Sequence, residues 1–186
     1  MASILPLDEL NRLDTEIQKR FGYGQLPKSK EDEDLVEDLL LDLFIYAFAT
    51  GNEVTNENLS FNYEPTLDDV MEVVDEEVAG KTWRQRVREY FSNGGTGEDI
   101  LRIASTEMHR IANTSAFQTA KKAGAKSKTW ITMMDDRVRD SHDYLLGMTV
   151  GIDEDFYTYD GSHAPAPGLF GVPEEDVNCR CELMFA

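Results

Sequence analysis

The sequence predicts an α+β fold, with an N-terminal helical arm or bundle followed by a long helix packed on a small, mainly antiparallel sheet. The C-terminal region is predicted to be loop-rich. Three observations support this class. Apolar residues recur at three- and four-residue steps as far as about residue 123. β-Branched and aromatic residues then cluster from residue 128, and glycine and proline become frequent after residue 157.

The first two predicted helices differ in the width of their apolar surface. The first has one apolar stripe, formed by Leu7, Leu10, Leu13, Ile17 and Phe21. Gly22 follows the stripe and is expected to end the helix in a left-handed conformation. In the second, Ser29 and Asp32 open a segment with an acidic first turn. Its apolar residues between Leu35 and Phe48 cover more than one stripe. We therefore expect this helix at the centre of a bundle or against a partner subunit.

The next segments carry clear start and stop signals. The polar, aperiodic stretch Asn52 to Tyr63 is predicted to be a loop. Thr66 with Asp69 caps a helix that runs past Val78 to Gly80, and Thr82 with Gln85 forms the capping box of the helix after it. The run Asn93-Gly94-Gly95 then breaks the chain. It predicts a boundary between an acidic helical region, residues 1–92, and a second domain, residues 93–186.

The second domain is predicted to begin with the longest helix, from Thr96 to about Ala123, with Gly124 as terminator. Four shorter elements and a loop follow. They are a strand at Lys128 to Met133, a short helix or turn at Asp136 to Leu146 ending at Gly147, a strand at Met148 to Val150, a structured loop at Tyr157 to Pro173, and a strand at Asn178 to Phe185.

Composition and charge exclude several classes of protein. The 186 residues are 41% hydrophobic and 29% charged, as in a folded protein. The apolar stretch Leu39 to Ala49 contains Asp42 and is shorter than the roughly 20 residues of a membrane span. The N-terminus lacks the basic and apolar segments of a secretory signal, so we expect a protein kept inside a cell. The net charge of −18 argues against tight, sequence-independent binding to nucleic acid.

The negative charge is distributed unevenly. Residues 1–80 carry 5 basic and 20 acidic side chains, whereas residues 81–129 carry 10 and 4. A local contact with DNA would use Lys81, Arg84, Arg86, Arg88, Lys121, Lys122, Lys126 and Lys128. The favoured interpretation is a solvated basic helix face that pairs with acidic neighbours.

The residues with metal-ligand chemistry are His142, Cys179 and Cys181. Two thiols and a histidine make half of a zinc site, but structural zinc usually has four ligands and C-x₂₋₄-C spacing, and the other histidines are His109 and His163. Two buried, reduced cysteines packing as small hydrophobic side chains are therefore the favoured interpretation. A disulfide within Cys179-Arg180-Cys181 is disfavoured by the Cα separation expected in a strand.

Two further polar groups are candidates for chemistry. His142 could act as a general base beside Asp140 and Asp143, with Arg137 or Arg139 holding an anion, but no nucleotide or nucleophile motif accompanies them. Structural roles for these side chains are favoured. A buried Glu107 would need a partner, and Arg137, Arg139 or Arg180 could supply one and lock the long helix onto the β region.

Residues from about 98 to 186 resemble the phage Mu F-like minor head protein family, also called the phage head morphogenesis domain. The resemblance rests on the order and spacing of Thr106, Glu107, Lys128, Trp130, Asp135, Arg137, Arg139, His142, Gly147, Phe156, Pro167, Gly168, Asn178, Cys179, Arg180 and Cys181. One departure follows Pro167-Gly168, where family members often carry an acidic residue and this chain has Leu169-Phe170.

The resemblance implies a structural virion protein of a tailed phage or prophage, made in the bacterial cytoplasm and placed in the head near the portal vertex. It implies a role in head morphogenesis and in DNA packaging or delivery. We expect the portal protein, the major capsid protein or both as partners, with several copies per virion, no membrane and no cofactor. A zinc ion is the less favoured alternative. The alternative is a cryptic enzyme or injected effector that uses Asp135, Arg139 and His142.

Overall fold

The structure, a computed structural model, describes residues 3–22 and 24–186. Residues 1 and 2 of the predicted helical region, and residue 23, lie outside the described residues. The helices are α1 (Leu7–Phe21), α2 (Lys30–Leu59), α3 (Leu67–Val74), α4 (Trp83–Asn93), α5 (Gly97–Lys122), α6 (Asp140–Asp143) and α7 (Pro173–Asp176). The strands are β1 (Ser127–Ile131), β2 (Thr149–Gly151), β3 (Phe156–Tyr157), β4 (His163–Ala164) and β5 (Glu182–Phe185). The α+β class is confirmed, and none of the described helices is long and apolar enough to cross a membrane.

The starts of α2 to α5 are fixed by local capping. The Ser29 hydroxyl accepts the backbone N–H of Asp32, as its position predicts. Reciprocal capping boxes open the three following helices, at Thr66 with Asp69, Thr82 with Gln85, and Thr96 with Asp99. Each cap satisfies N–H groups that have no partner inside the helix. The sequence therefore locates these helix starts without knowledge of the tertiary fold.

The predicted loop from Asn52 to Tyr63 is wrong over most of its length, because α2 continues to Leu59. Two polar residues of this stretch, Asn52 and Thr55, are buried. Asn52 donates to the Tyr63 carbonyl oxygen at 3.1 Å and accepts from the Thr119 hydroxyl at 2.8 Å. A helix whose buried face is partly polar gives no apolar periodicity, so the pattern did not reveal it.

The helix predicted to extend past Val78 ends earlier, at Val74. Val78 instead forms a short antiparallel bridge with Lys81, and the intervening Ala79 and Gly80 both have positive φ angles. The Val73 carbonyl oxygen accepts a hydrogen bond from the Arg110 guanidinium at 2.9 Å. A side chain of α5 thus satisfies a carbonyl group in the last turn of α3.

α2 lies at the centre of the helical core and packs against α1, α3, α4 and α5. This confirms the bundle alternative for its wide apolar surface. Phe44 of α2 meets Trp83 of α4 edge to face, with ring centroids 5.1 Å apart. Gly51 lets α2 approach α5 closely, because a Cβ there would lie 2.3 Å from the Ala112 carbonyl oxygen.

The helical core includes residues on both sides of the predicted domain boundary, from Ile4 to Ala116. The division into residues 1–92 and 93–186 nevertheless stays a prediction. A second, smaller core lies beyond α5 and contains the sheet and the loops after it.

β1 is the middle strand of the described sheet, in the order β2-β1-β5, and both of its neighbours run antiparallel to it. β3 and β4 form a separate short antiparallel pair, so the predicted loop Tyr157 to Pro173 contains a strand. The predicted strand from Asn178 begins only at Glu182. Asn178 has a φ of 57°, a left-handed conformation that asparagine tolerates and that interrupts an extended strand.

Candidate functional site

Trp130 of β1 is the centre of the small C-terminal core. It is fully buried and makes edge-to-face contacts with His142, Phe156 and Phe170, at centroid distances of 5.4, 5.1 and 5.9 Å. The His142 ring also stacks on Phe170 at 5.5 Å. The aromatic rings therefore enclose the histidine and restrict its access to water.

His142 and the two cysteines form one cluster, which we call the His-Cys cluster (His142, Cys179 and Cys181). The His142 Nδ1 atom lies 3.5 Å from the Sγ atom of each cysteine, and the three atoms lie within 4.8 Å of one another. Both cysteines are buried free thiols. The structure thus brings together the three residues that the sequence marks as metal-ligand candidates.

The two thiols ionise differently because they face each other. The neighbouring Cys179 thiol, together with His142 and the Trp130 indole, stabilises a thiolate at Cys181 and lowers its pKa to about 5. Burial and the adjacent Cys181 raise the pKa of Cys179. The first proton of the pair therefore leaves readily and the second is retained.

A carboxylate that the sequence analysis missed supports the histidine from its other side. The Glu175 Oε2 atom lies 2.9 Å from His142 Nε2, although the N–H of that nitrogen does not point straight at the oxygen. The Ser141 hydroxyl donates to the same carboxylate at 2.9 Å. Glu175 lies in α7, whose start is signalled by Pro173 and the acidic residues that follow it. The sequence therefore carried a signal for the start of α7, but none for the contact of Glu175 with His142.

Asp135, Arg139 and His142, the three residues of the enzyme hypothesis, have separate partners. Arg180 binds Asp135 through two hydrogen bonds of 2.8 and 2.5 Å, and lowers the pKa of that carboxyl group to about 2. Arg139 donates to the Val177 carbonyl oxygen. The exposed Arg137 lies 3.6 Å from Asp135. These contacts fasten the loop before α6 to the segment that carries the cysteines.

Glu107 is buried, but its predicted partners were wrong. It pairs with Arg86 of α4 and with Arg110 on its own helix, each at 2.8 Å. Arg110 also binds Glu76 at 2.7 Å. Glu107 therefore connects α5 to α4 and, through Arg110, to the segment after α3, and not to the β region. Thr106, beside it, has a buried hydroxyl with no hydrogen-bond partner among the described residues.

Lys128 of β1 is also buried, with its Nζ atom 4.3 Å from the Phe117 ring centroid and 5.6 Å from that of Phe156. Burial lowers the pKa of this lysine to about 8. The Nζ atom has no hydrogen-bond partner within the described part of the chain. Lys128 is therefore an internal residue of the C-terminal core and is not available for the predicted DNA contact.

The segment Pro167-Gly168 docks on α5. Gly168 has a φ of 80°, and a Cβ there would lie 3.1 Å from both His109 Nδ1 and Arg110 Cα. The His109 Nε2 atom lies 2.6 Å from the Cys181 carbonyl oxygen, and burial lowers the pKa of His109 to about 4. Gly147, also predicted from the motif, donates its backbone N–H to the Trp130 carbonyl oxygen.

Most of the basic side chains between residues 81 and 129 have acidic or aromatic partners. Five of them form ion pairs: Arg84 with Asp75, Arg88 with Glu37, Lys81 with Glu89, Arg86 with Glu107, and Lys121 with Asp153. Lys122 donates a hydrogen bond to the Tyr63 hydroxyl. This agrees with the favoured interpretation of a basic face that pairs with acidic neighbours. Lys126 is exposed.

These features define an α+β domain in which a long helix supports a small β region with a buried histidine and two cysteines. The family model described as Phage Mu protein F like protein matches residues 66–184. The chain therefore belongs to the Phage Mu protein F like family, as the resemblance indicates. The match begins earlier than the predicted residue 98 and includes α3 and α4.

Two relatives each match less than half of the chain. The chain is 34% identical to minor head protein GP7 of Bacillus phage SPP1 over 85 residues, 44% of this chain and 28% of that protein. It is 41% identical over 88 residues to a protein of Enterococcus faecalis (strain ATCC 700802 / V583) named NAD(+)--arginine ADP-ribosyltransferase EFV, 45% of this chain and 18% of that protein. The matches thus span less than a third of either relative. No solved structure matches the chain.

Proposed function

We propose that the chain is a structural minor component of the head of a tailed phage or prophage, placed near the portal vertex in several copies. There it contributes to head morphogenesis and to DNA packaging or delivery. The observation that carries this proposal is the family match over residues 66–184, supported by the likeness to a protein named as a minor head protein. The portal protein, the major capsid protein or both are the proposed partners.

The acidic helices offer a surface for such a partner. A groove of about 250 Å³ lies between α1 and α2, and Tyr46, which is 52% exposed, lies on its rim. Asp42, Glu9 and Glu16 line the same groove, with one cation, Arg12, which pairs with Glu9. A half-exposed aromatic ring among carboxylates suits a protein partner with a basic surface.

Copy number in assembled heads tests the proposal. Heads of the phage or prophage that encodes the chain would be assembled with and without the portal protein, and the chain would be quantified by mass spectrometry. We expect several copies per complete head and loss of the chain from portal-less heads. An undiminished copy number in portal-less heads would contradict placement at the portal, and absence from complete heads would contradict the head function.

A pair of matched variants tests the groove. Asp42→Lys combined with Tyr46→Ser is expected to reduce the copies per head. Asp143→Lys combined with Tyr144→Ser changes a similarly exposed tyrosine, 55% exposed, on the C-terminal region and is expected to leave the copy number unchanged. Equal incorporation of both variants would contradict the assignment of the groove.

The second candidate is an enzyme or injected effector that uses Asp135, Arg139 and His142. The relative named as an ADP-ribosyltransferase favours testing it, although the match covers 18% of that protein. Incubation of the full chain with labelled NAD⁺ and an arginine acceptor is the direct assay. Transfer of label that depends on His142 would support this candidate, and no transfer above the buffer control would leave the structural role.

Contact with packaged DNA would be a further part of the head function. Binding of the full chain to duplex DNA at increasing salt tests it, because each phosphate contact steepens the loss of affinity. We expect weak binding, since most of the basic side chains are paired within the chain. Tight binding with a steep salt dependence that Lys126→Ala reduces would show that the basic segment contacts DNA directly.

A further inference from the structure

We propose that the His-Cys cluster is a zinc site, in which His142 Nδ1 and the Sγ atoms of Cys179 and Cys181 are three ligands of one ion. Its role is to fasten the segment before β5 to α6. The inference does not depend on the proposed function in the phage head. From the C-x-C spacing, two buried thiols without a metal were the favoured interpretation. The distances in the folded chain favour a zinc site instead.

The distances fit a tetrahedral ion. Zinc bonds of about 2.3 Å to sulfur and about 2.0 Å to nitrogen, at tetrahedral angles, place nitrogen and sulfur ligands roughly 3.5 Å apart. Both of the distances from His142 Nδ1 to the cysteine sulfurs are 3.5 Å. The two sulfurs lie within 4.8 Å of each other. Small movements would therefore bring all three atoms into bonding distance of one ion.

The surroundings of the histidine are those of a metal ligand. Ligating histidines almost always present their second nitrogen to a carboxylate, a carbonyl group or water, which fixes the tautomer. The Glu175 carboxylate lies 2.9 Å from His142 Nε2, out of line with its N–H in this structure, and is itself held by the Ser141 hydroxyl. A small rotation of the ring would align the two groups. A proton kept on Nε2 leaves the lone pair of Nδ1 free to face the cysteines.

The charge of the His-Cys cluster and the space beside it also fit a zinc ion. His142, Cys179 and Cys181 are 1%, 4% and 3% exposed, so two thiolates there would carry a large desolvation cost without a counter-charge. One divalent ion neutralises both. A pocket of about 10 Å³ borders all three residues, and Met133, Val138, Asn178 and three arginines also line it. Of these arginines, Arg139 donates to the Val177 carbonyl oxygen and Arg180 pairs with Asp135. That space suits about one water molecule, which could complete four-fold coordination.

Metal content and coordination of the tag-free full chain test the site. We expect about one zinc per chain after purification from zinc-supplemented medium and a brief chelator wash. X-ray absorption should then show two sulfur neighbours at about 2.3 Å and nitrogen or oxygen neighbours at about 2.0 Å. Less than about 0.2 zinc per chain, with no sulfur-to-metal band on titration with Co²⁺, would overturn the proposal. A shell of oxygen and nitrogen alone would overturn it as well.

Matched variants separate the ligands from other residues. Cys181→Ser and His142→Gln are expected to abolish the Co²⁺ band, whereas His163→Gln, at an exposed histidine, should leave it unchanged. Glu175→Gln should keep the stoichiometry but weaken Zn²⁺ binding by about 10- to 100-fold, as for other residues that support a ligand. Retention of the band in a folded Cys181→Ser variant would overturn the assignment. If either ligand variant fails to fold, the X-ray absorption spectrum of the unaltered chain decides whether sulfur atoms bind the zinc.

Discussion

The helical core and the small C-terminal core are stabilised in different ways. The first joins five helices through buried apolar side chains, and its largest rings, Trp83 and Phe44, meet at its centre. The second gathers seven buried residues, two of them cysteines, around strands of two to five residues. Strands this short bury little surface, so particular contacts at His142, Arg180 and Gly168 have to hold them. The helical core is therefore stabilised mainly by the apolar surface that it buries, and the C-terminal core mainly by particular contacts of a few residues.

The two tryptophans give the sharpest test of this difference, since one lies in each core and both are fully buried. Trp83→Ala and Trp130→Ala are each expected to lower the free energy of unfolding by about 3–5 kcal/mol in the core they affect. Far-UV circular dichroism and the fluorescence of the remaining tryptophan separate the two effects on heating. We expect Trp130→Ala to loosen the β region while the helices persist. Loss of helix at the same temperature in both variants would show a single cooperative unit.

The buried ion pairs test how far polar contacts matter within the helical core. Glu107→Gln leaves Arg86 and Arg110 without their shared carboxylate, and should reduce the free energy of unfolding by about 3 kcal/mol in urea denaturation. Glu89→Gln removes the carboxylate from an exposed pair with Lys81 and is the control, with little expected change. Equal effects in the two variants would mean that burial adds nothing to the Glu107 contacts.

Close packing of α2 on α5 predicts an unusual response to alanine. In most helices a glycine-to-alanine change is stabilising, but at Gly51 the new Cβ would meet the Ala112 carbonyl oxygen. We expect a loss of about 2 kcal/mol in thermal or urea unfolding. Thr50→Ala, one position away and partly exposed, should change stability far less. A stabilised Gly51→Ala variant would contradict the close approach of the two helices.

The smallest expected effect on the free energy of unfolding is a gain in stability, and it concerns the C-terminal core. Lys128→Met removes a buried ammonium group without a hydrogen-bond partner in the described chain, and should stabilise the protein by about 1 kcal/mol at pH 7. Because folding lowers the pKa of Lys128 to about 8, the unfolded chain binds more protons between pH 8 and about 10.5. The advantage of the variant should therefore shrink as the pH rises through that range. A variant less stable than the parent at pH 7 would show that the contacts with Phe117 and Phe156 outweigh desolvation.

The same contrast explains what the sequence could predict. Capping pairs such as Thr82 with Gln85 act over three residues, so the helix starts were readable from the sequence. The extension of α2 beyond Asn52 was not, because its buried polar face is satisfied by Thr119 and Tyr63, which are distant in sequence. Local patterns specify elements, and tertiary hydrogen bonds decide where some of them end.

The candidate site shows the same limit. Its motif residues were recognised as a set, and His142 with the two cysteines was identified as a ligand combination. Their convergence to 3.5 Å could not be predicted, since it depends on the left-handed turn at Asn178 and on the packing of Trp130 and Phe170 around the ring. Glu175 was missed because no spacing rule links it to His142. The partners of Glu107 were assigned to the wrong region, since helix packing and not sequence proximity selects Arg86.

If the His-Cys cluster holds the C-terminal core together while the helical core is stable without it, removal of zinc should loosen only the C-terminal region. Hydrogen exchange of the full chain, followed by mass spectrometry with saturating Zn²⁺ and again with a chelator, measures this difference. We expect peptides within residues 127–186 to lose protection when zinc is removed, whereas peptides of α2 and α5 keep theirs. Unchanged protection throughout the chain, or an equal loss in both regions, would contradict this expectation.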